Sequence, residues 1–339
     1  MEKGKREVGF EISYSMTKIL DNISRYSEKD IHGILGSTLG TPYLDYRKTW
    51  EGTSTACIPD FPIHIDFELN DCCNQACTMC PRNSKSHPQV RYAINTHAAL
   101  DFSIYKTVID EGVSKGLLSV NLGAFAEPLL HPDVFNMVRY AHDRGILDSR
   151  VITNGLLLNK FIEPIFDSGL VHLFVSIDAE REQTYRSLRG KGFNIVKSNL
   201  LTFLEEKQKR NATLPIVRVS FVDMHINNSE KEDFIVFWRT RVDIVDIQIF
   251  DNFNYDTRQQ YDKTPHKKWS CVAPWSRVAV LADGTILPCC NFFGRNIPIG
   301  NIRNMTIADA WNSDSIRRIR EGILDDTLDN CSICQRIGE

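Results

Sequence analysis

The sequence lacks the features that direct a chain to a membrane, a secretory route or a nucleic acid. No apolar run approaches the ~18 residues of a membrane span. The charged opening Met1–Glu7 has no apolar stretch behind it, so it is not a secretory signal. The net charge of -3 provides no basic surplus for nucleic acid or an anionic membrane. These absences predict a cytoplasmic protein with neither kind of partner.

Cysteine is missing from the whole central part of the chain. Of the ten cysteines, five lie from Cys57 to Cys80 and five lie from Cys271 onward. Without a signal peptide a disulfide framework is not expected, because the cytosol keeps thiols reduced. Two separate groups of thiols instead favour metal binding or catalysis.

From Pro62 onward, strand and helix periodicities alternate. Six β/α repeats with short connections predict a parallel sheet curved into a partial (β/α)6 TIM-like barrel, in an α/β protein. The predicted strands are 63–69, 118–122, 150–152, 171–177, 216–222 and 244–250. The predicted helices are 102–114, 134–143, 159–167, 182–209 and 231–239.

The two ends of the chain depart from this pattern. Residues 1–60 carry no motif, contain one predicted helix (Ser15–Tyr26), and are interpreted as an extension that packs on the next domain. After the barrel, residues 61–265, the dipeptide Asp283-Gly284 predicts a hairpin of strands 277–281 and 285–288. A helix that begins at Thr306 completes a small α+β domain, residues 266–339.

Three cysteines follow the first predicted strand directly. Cys73, Cys77 and Cys80 have the spacing C-x3-C-x2-C. Cysteine thiolate is the usual ligand of iron–sulfur clusters. Three ligands on a four-iron cube leave one iron open for a group that is not protein. The alternatives are a zinc site or cysteines of no special role.

Polar residues follow the next three strands, and in β/α barrels the chemistry collects at the C-terminal ends of the strands. Glu127 follows the second strand. The third strand is followed by Thr153, Asn154 and Gly155, while Ser176 and Asp178 end the fourth and Arg189 comes shortly after. Their joint placement predicts a site at one rim of the sheet. Helix capping is the alternative role for Ser176 and Asp178.

From Pro62 to about Phe250 the sequence resembles the radical S-adenosylmethionine (SAM) superfamily. The cysteine loop carries the resemblance, and Phe125-Ala126-Glu127-Pro128 is similar to the family's Gly-Gly-Glu-Pro motif, with Phe125 and Ala126 in place of the glycines. The resemblance implies that SAM chelates the open iron through its amino and carboxylate groups. Glu127 would bind the amino group, and Met79 would pack where an aromatic residue often lies near adenine. The SAM-binding residues implied are Met79, Glu127, Asn154, Ser176, Asp178 and Arg189.

The second cysteine group resembles a SPASM-type domain in its abbreviated twitch form, from Trp269 to Cys334. Gly284-x4-Cys289 matches the motif's spacing, and the neighbouring Cys290 would point the opposite way along a strand. Four thiolates would close a second, auxiliary 4Fe-4S cluster and make this an iron–sulfur domain. The ligands implied are Cys271, Cys289, Cys331 and Cys334. A structural zinc site is the alternative.

The resemblance implies a radical enzyme, in particular one like the aminocyclitol and sugar alcohol dehydrogenases. Its reduced first cluster would cleave SAM, and the 5'-deoxyadenosyl radical would abstract hydrogen from a C–H bond of the substrate. The 60-residue extension is shorter than a peptide-recognition domain of roughly 80–90 residues. We therefore expect a small polar substrate (a sugar, aminosugar or cyclitol), oxidised at a secondary alcohol with the auxiliary cluster as electron acceptor. A one-electron reductant such as flavodoxin or ferredoxin is the expected partner.

Three other functions stay open. A radical epimerase would need a thiol hydrogen donor, for which Cys57, Cys72 and Cys290 are the candidates. A maturase of the SPASM type would modify a peptide or protein. A non-catalytic iron–sulfur or zinc scaffold would do neither.

Overall fold

One ten-stranded sheet organises the chain in a computed structural model that describes residues 24–25, 30–83, 97–249, 271–328 and 331. The strand order is β1-β7-β6-β5-β4-β3-β2-β8-β9-β10. The strands are β1 (Ser24–Arg25), β2 (His64–Phe67), β3 (Ser119–Leu122), β4 (Asp148–Thr153), β5 (His172–Ser176), β6 (Ile216–Asp223), β7 (Ile244–Ile249), β8 (Arg277–Val280), β9 (Thr285–Leu287) and β10 (Gly300–Asn301). From β2 to β7 each strand runs parallel to the next, as β/α repeats require.

Helices connect the parallel strands and flank the sheet. They are α1 (Ile31–Leu39), α2 (Thr41–Gly52), α3 (Phe102–Ser114), α4 (Val134–Asp143), α5 (Ile162–Asp167), α6 (Glu182–Leu188), α7 (Phe193–Lys209), α8 (Lys231–Trp238), α9 (Ala273–Ser276), α10 (Ile307–Trp311) and α11 (Asp314–Leu324). No helix in the described ranges is long and apolar enough to cross a bilayer. The partial barrel predicted from the sequence is confirmed.

The C-terminal hairpin continues the sheet of the barrel. β8 lies parallel to β2, with Arg277 opposite His64, and β9 returns antiparallel to β8. The predicted hairpin is confirmed, but its strands share a sheet with the barrel. The predicted C-terminal helix is two helices, because the Ser313 side chain accepts a hydrogen bond from the backbone N–H of Ile316 and begins α11.

The predicted helix Ser15–Tyr26 is wrong at its end. Ser24 and Arg25 pair antiparallel with β7. The remainder of that predicted helix lies outside the described residues.

Alternate residues of each strand face different surroundings. Ile65, Val120 and Val151 belong to the main apolar core shared with the flanking helices. Their neighbours along the strands carry polar groups, and Asp66 accepts a hydrogen bond from Nδ2 of Asn121 at 2.8 Å. The two-residue period of a strand places these polar groups on the concave face of the barrel.

Helices α1 and α2 close the N-terminal end of the barrel. Tyr43, Tyr46 and Trp50 of α2 form an apolar cluster with residues at the start of strands, such as Ile216 and Ile244. The interpretation of the N-terminal segment as an extension that packs on the barrel agrees with this contact. Both helices therefore lie at the end opposite to the C-terminal ends of the strands.

One hydrogen bond fixes α2 to the polar interior. The Tyr46 hydroxyl donates to Oδ2 of Asp148 at 2.9 Å, and the Asp148 carboxylate also lies 3.3 Å from Nε2 of His172. Burial acts to raise the pKa of Asp148, but His172, Arg150 and Tyr46 outweigh it and lower the pKa below its ordinary value. The Asp148 carboxylate is therefore ionised, and its stability in this buried position depends on its hydrogen-bond donors.

Tyr46→Phe should destabilise the fold by about 1–3 kcal/mol, because a buried carboxylate loses a donor. The measurement is the free energy of unfolding from urea titration. Tyr43→Phe is the matched control, since its hydroxyl bonds the half-buried His32 at 2.9 Å and its loss should cost less. Equal effects of the two substitutions would contradict the importance of the Asp148 contact.

Candidate functional site

The first cysteine loop runs from the end of β2 across the rim of the barrel. Hydrogen bonds from the backbone N–H of Thr78 to the carbonyl of Leu188 (2.8 Å) and from Cys80 to Cys77 (3.2 Å) hold the loop. Cys77 is buried, while Cys73 and Cys80 are half-buried. The loop is therefore anchored on α6 with its thiols turned partly inward.

The three thiols interact electrostatically. Burial raises the pKa of Cys77 to about 11, and Cys80 and Cys73 add to the rise while Arg189 opposes it. Burial also raises the pKa of Cys73 and of Cys80. Buried thiolates that repel one another need a cationic centre, so this donor set fits an iron–sulfur cluster.

A single zinc ion fits the loop less well. Within the described ranges, no three His, Cys, Asp or Glu side chains converge closely enough to hold one metal ion. Zinc requires sulfur atoms about 2.3 Å from one ion. A cube takes each thiolate on a different iron and so tolerates a wider spacing.

Glu127 lies at the rim between the cysteine loop and β4. Its carboxylate is 2% exposed and accepts hydrogen bonds from Oγ1 of Thr153 (2.7 Å) and the backbone N–H groups of Asn154 (2.8 Å) and Leu129 (3.1 Å). Burial raises its pKa, and these donors oppose the rise. A carboxylate has about four acceptor positions. Glu127 is thus oriented by three donors and can accept one more, such as an amino group.

Asn154 binds protein groups through its side chain. Its Nδ2 donates to Oδ1 of Asn74 in the cysteine loop at 2.7 Å, and its Oδ1 accepts from the backbone N–H of Leu156 at 3.0 Å. Asn74 was not among the predicted site residues; its position inside the cysteine loop was the signal that could have identified it. Thr153 was predicted at the rim but without a role, and the structure shows that its hydroxyl donates to Glu127.

Asp178 and Arg189 form a buried ion pair at the next strand end. Nε of Arg189 donates to Oδ2 of Asp178 at 2.6 Å, and Oδ1 accepts from the backbone N–H of Val222 at 2.8 Å. Nη1 of Arg189 lies 3.9 Å from Sγ of Cys77. Asp178 has φ of 63°, a left-handed conformation that its short polar side chain tolerates. Asp178 therefore orients Arg189 toward the cysteine loop.

Ser176 and Met79 are partly accessible at the same rim. Ser176 ends β5, is half-buried, and its hydroxyl makes no hydrogen bond within the described part of the chain. Met79 is half-buried on the turn before Cys80. The structure thus brings all six predicted SAM-binding positions to the rim that bears the cysteines.

The second cysteine group lies beside β8, and its predicted member Cys334 lies outside the described residues. Burial raises the pKa of Cys271 to about 12, and the nearby Cys331 and Cys290 add to the rise. Burial raises the pKa of Cys331 to about 11. Sγ of Cys289 lies close to the backbone of Gly294. A Cβ atom added to this glycine would come within 2.9 Å of the sulfur.

The candidate hydrogen donors do not lie together. Sγ of Cys290 lies 3.8 Å from Nη1 of Arg277, the first residue of β8, and Cys57 precedes β2. Both belong to the N-terminal end of the barrel, away from the rim. Cys72 alone of the three lies on the rim, with its Sγ 3.5 Å from Nδ1 of His97.

Family models match two parts of the chain. The model "Radical SAM superfamily" matches residues 67–229, which include the cysteine loop and the Glu127 segment. The chain belongs to the radical SAM superfamily. The model "Iron-sulfur cluster-binding domain" (SPASM) matches residues 271–336, the second cysteine group. A 4Fe-4S cluster, SAM and an auxiliary iron–sulfur cluster are the cofactors of these domains.

The curated relatives carry several activities. The chain is similar to GTP 3',8-cyclase of Thermodesulfovibrio yellowstonii, 28% identical over 54% of this chain and 55% of that protein. It is similar to AdoMet-dependent heme synthase of Methanosarcina barkeri, 34% identical over 38% of this chain and 35% of that protein. The matches span about half or less of these relatives.

Among solved structures the fold is similar to that of Streptococcus suis SuiB bound to precursor peptide SuiA. The TM-score is 0.57 at 15% identity, covering 88% of this chain and 74% of SuiB. This likeness shows the fold of the chain.

Proposed function

We propose that this radical SAM enzyme oxidises a secondary alcohol of a small polar molecule, such as a sugar, aminosugar or cyclitol. The observation that supports this proposal is the polar concave face of the barrel. Arg150, Ser176, Arg218, Ser220 and Gln248 alternate with buried apolar residues and are half-buried. Such a surface offers hydrogen bonds to hydroxyl groups, beside the half-buried apolar side chains of Ile152 and Phe174 on the same face.

The residues at the rim have distinct proposed roles. Cys73, Cys77 and Cys80 hold the first cluster, and Glu127 accepts from the amino group of SAM at its remaining acceptor position. Arg189, held by Asp178, and the Ser176 hydroxyl bind the ribose or the methionine carboxylate. When bound, the cluster and SAM supply hydrogen abstraction from an unactivated C–H bond.

Asn154 is proposed to act by positioning. Its bond to Asn74 ties the cysteine loop to β4, and its backbone N–H orients Glu127. Met79 is proposed to pack near adenine, since a thioether is polarisable and adaptable.

The second cysteine group is proposed to accept the substrate's second electron. Oxidation of an alcohol carbon to a carbonyl releases two electrons and two protons. Hydrogen abstraction removes one electron with one proton, so an acceptor must take the other electron and a base the other proton. A flavodoxin or ferredoxin is proposed to reduce the first cluster, and a cytoplasmic location stays a prediction.

The test is anaerobic reconstitution with iron and sulfide, followed by reduction with dithionite in the presence of SAM and a panel of sugars, aminosugars and cyclitols. We expect 5'-deoxyadenosine and a carbonyl product in a one-to-one ratio. If no substrate yields 5'-deoxyadenosine, the proposal of a radical enzyme is overturned, and the hypothesis of a non-catalytic scaffold remains. Solvent deuterium in an unoxidised product would instead identify an epimerase, with Cys72 as the candidate donor at the rim. Turnover only with a peptide would identify a maturase.

Substitution of the adjacent cysteines should identify the auxiliary ligand. Cys289→Ser is expected to lower the iron content by up to about four atoms per chain, because one of four thiolates is lost. Cys290→Ser is the paired variant and should retain its iron when Cys289 is the ligand; the comparison is needed because Cys290 is the neighbour that acts to raise the pKa of Cys271. Iron and sulfide assays with Mössbauer spectra make the measurement. Iron loss in Cys290→Ser alone would reverse the assignment.

A further inference from the structure

A buried carboxylate joins the two cysteine-bearing parts of the chain. Glu68 follows β2 directly and is 2% exposed. Its Oε2 accepts a hydrogen bond from Nη2 of Arg295, which follows Cys289 and Cys290 in the sequence. The same oxygen lies 3.8 Å from Nη1 of Arg82, in the segment just after Cys80.

Aromatic contacts reinforce this junction. The ring of Phe125 packs edge-on against Phe292, with centroids 5.0 Å apart, and the Arg295 guanidinium lies 4.8 Å from the Phe125 centroid. The carbonyl of Phe125 accepts from Nη1 of Arg82 at 3.3 Å. A glycine at position 125 would have no ring to make the contact. The departure from Gly-Gly-Glu-Pro therefore builds a contact with the C-terminal domain.

The junction carries charge next to the first cysteine loop. Arg82, Arg295 and Glu68 together carry one net positive charge, with the buried Asp71 carboxylate nearby, and the three side chains are at most 5% exposed. Burial raises the pKa of Glu68, and Arg295 and Arg82 oppose the rise. Arg82 lies two residues after Cys80, and its guanidinium donates to the backbone carbonyls of Asp71, just before the cysteine loop, and of Phe125. Salt screens buried charges weakly. Local charge is one of the factors that set the potential of an iron–sulfur cluster.

We propose that Glu68 is a positioning residue that binds Arg82 and Arg295 together and so makes the reduction potential of the first cluster depend on the C-terminal domain. This inference rests on the proposed role of the first cysteine loop. Loss of the Glu68 carboxylate leaves the two positive charges of Arg82 and Arg295, which favour the reduced cluster. Loss of Arg295 leaves the neutral pair of Glu68 and Arg82, so the reduced cluster is less favoured.

A cycle of charge changes tests the proposal in the full-length holoenzyme. Glu68→Gln should raise the midpoint potential of the first cluster and Arg295→Met should lower it. The double variant restores one net positive charge and should return toward the unmodified value. At a fixed applied potential, each single change should alter the ratio of reduced to oxidised first cluster by about tenfold. This corresponds to a shift in the midpoint potential of about 59 mV for one electron. Arg317→Met, which breaks the exposed pair with Asp314, is the control and should shift nothing.

The midpoint potentials come from redox titrations followed by electron paramagnetic resonance, with the first cluster identified by the response of its signal to SAM. The same potential in the unmodified protein and the iron-loaded single variants would overturn the proposal. Where a single variant loses its iron, the melting temperatures decide. Removal of Glu68 leaves two buried guanidinium groups without their carboxylate, so the double variant, which keeps only one of them, should melt above Glu68→Gln. A double variant that melts no higher than Glu68→Gln would overturn the link.

Failure of the proposed function gives a different result. An unmodified protein with iron but no SAM-sensitive signal would overturn the role of the first cysteine loop. The melting temperatures of the four proteins would still decide whether Glu68 links the two parts of the chain.

Discussion

Cys77→Ala is expected to remove the first cluster and to reduce 5'-deoxyadenosine formation to background. Cys77 is the buried member of the three-cysteine loop, and its thiol faces Cys73, Cys80 and Arg189. Two remaining thiolates leave a second iron of the cube without a protein ligand, so the cluster should not be retained. The measurements are iron content, expected to fall by about four atoms per chain, and product formation after anaerobic reconstitution.

The matched control is Thr78→Ala, in the same loop. The Thr78 side chain is exposed, and its hydroxyl donates to the carbonyl of Leu188 at 3.3 Å. The substitution removes that bond but keeps the 2.8 Å bond from the Thr78 backbone N–H to the same carbonyl. We expect Thr78→Ala to keep its iron and its activity. Full iron content and unchanged product formation in Cys77→Ala would show that the loop is not the cluster site.

The barrel could be predicted from the sequence because each of its strands and helices is encoded by a pattern in a short stretch of residues. β3 and α3 follow from hydrophobic periodicity over a few residues, and the observed α3 matches its predicted bounds, 102–114. The convergence of Glu127 and Asp178 on one rim follows from the parallel order of the strands, which the β/α alternation predicts. Local pattern and topology together were sufficient for the position of the site.

Long-range contacts could not be predicted in the same way. No pattern in residues 277–280 indicates that β8 pairs with β2, more than 200 residues earlier in the chain. Residues 1–60 were predicted to pack on the barrel, but the helices α1 and α2 within them were not, because the segment contains several glycines. The Phe125 contact with Phe292 likewise depends on tertiary packing. At sequence level Phe125 was only a departure from a motif.

Glu127→Gln is expected to weaken SAM binding by roughly tenfold to a hundredfold. A hydrogen bond to a charged group contributes about 1.5–3 kcal/mol, and every 1.4 kcal/mol is tenfold in affinity. The amide nitrogen of glutamine cannot accept a hydrogen bond. Either the bonds from Thr153 and Leu129 to one oxygen or the bond from Asn154 to the other is therefore lost, and the side chain should turn away from its present position. Equilibrium dialysis of SAM against the reconstituted, oxidised protein makes the measurement.

A control variant at a second carboxylate, Glu111, separates the loss of backbone hydrogen bonds from the loss of SAM binding. Glu111 of α3 accepts from the backbone N–H groups of Ile307 (3.0 Å) and Ala308 (2.9 Å), at the start of α10. Glu111→Gln should therefore lower the melting temperature, as Glu127→Gln does, and leave the Kd for SAM unchanged. Equal SAM affinity in the two variants, with equal iron content, would mean that the buried Glu127 carboxylate only supports the fold of the rim. A weaker affinity in Glu127→Gln alone would assign its remaining acceptor position to the ligand.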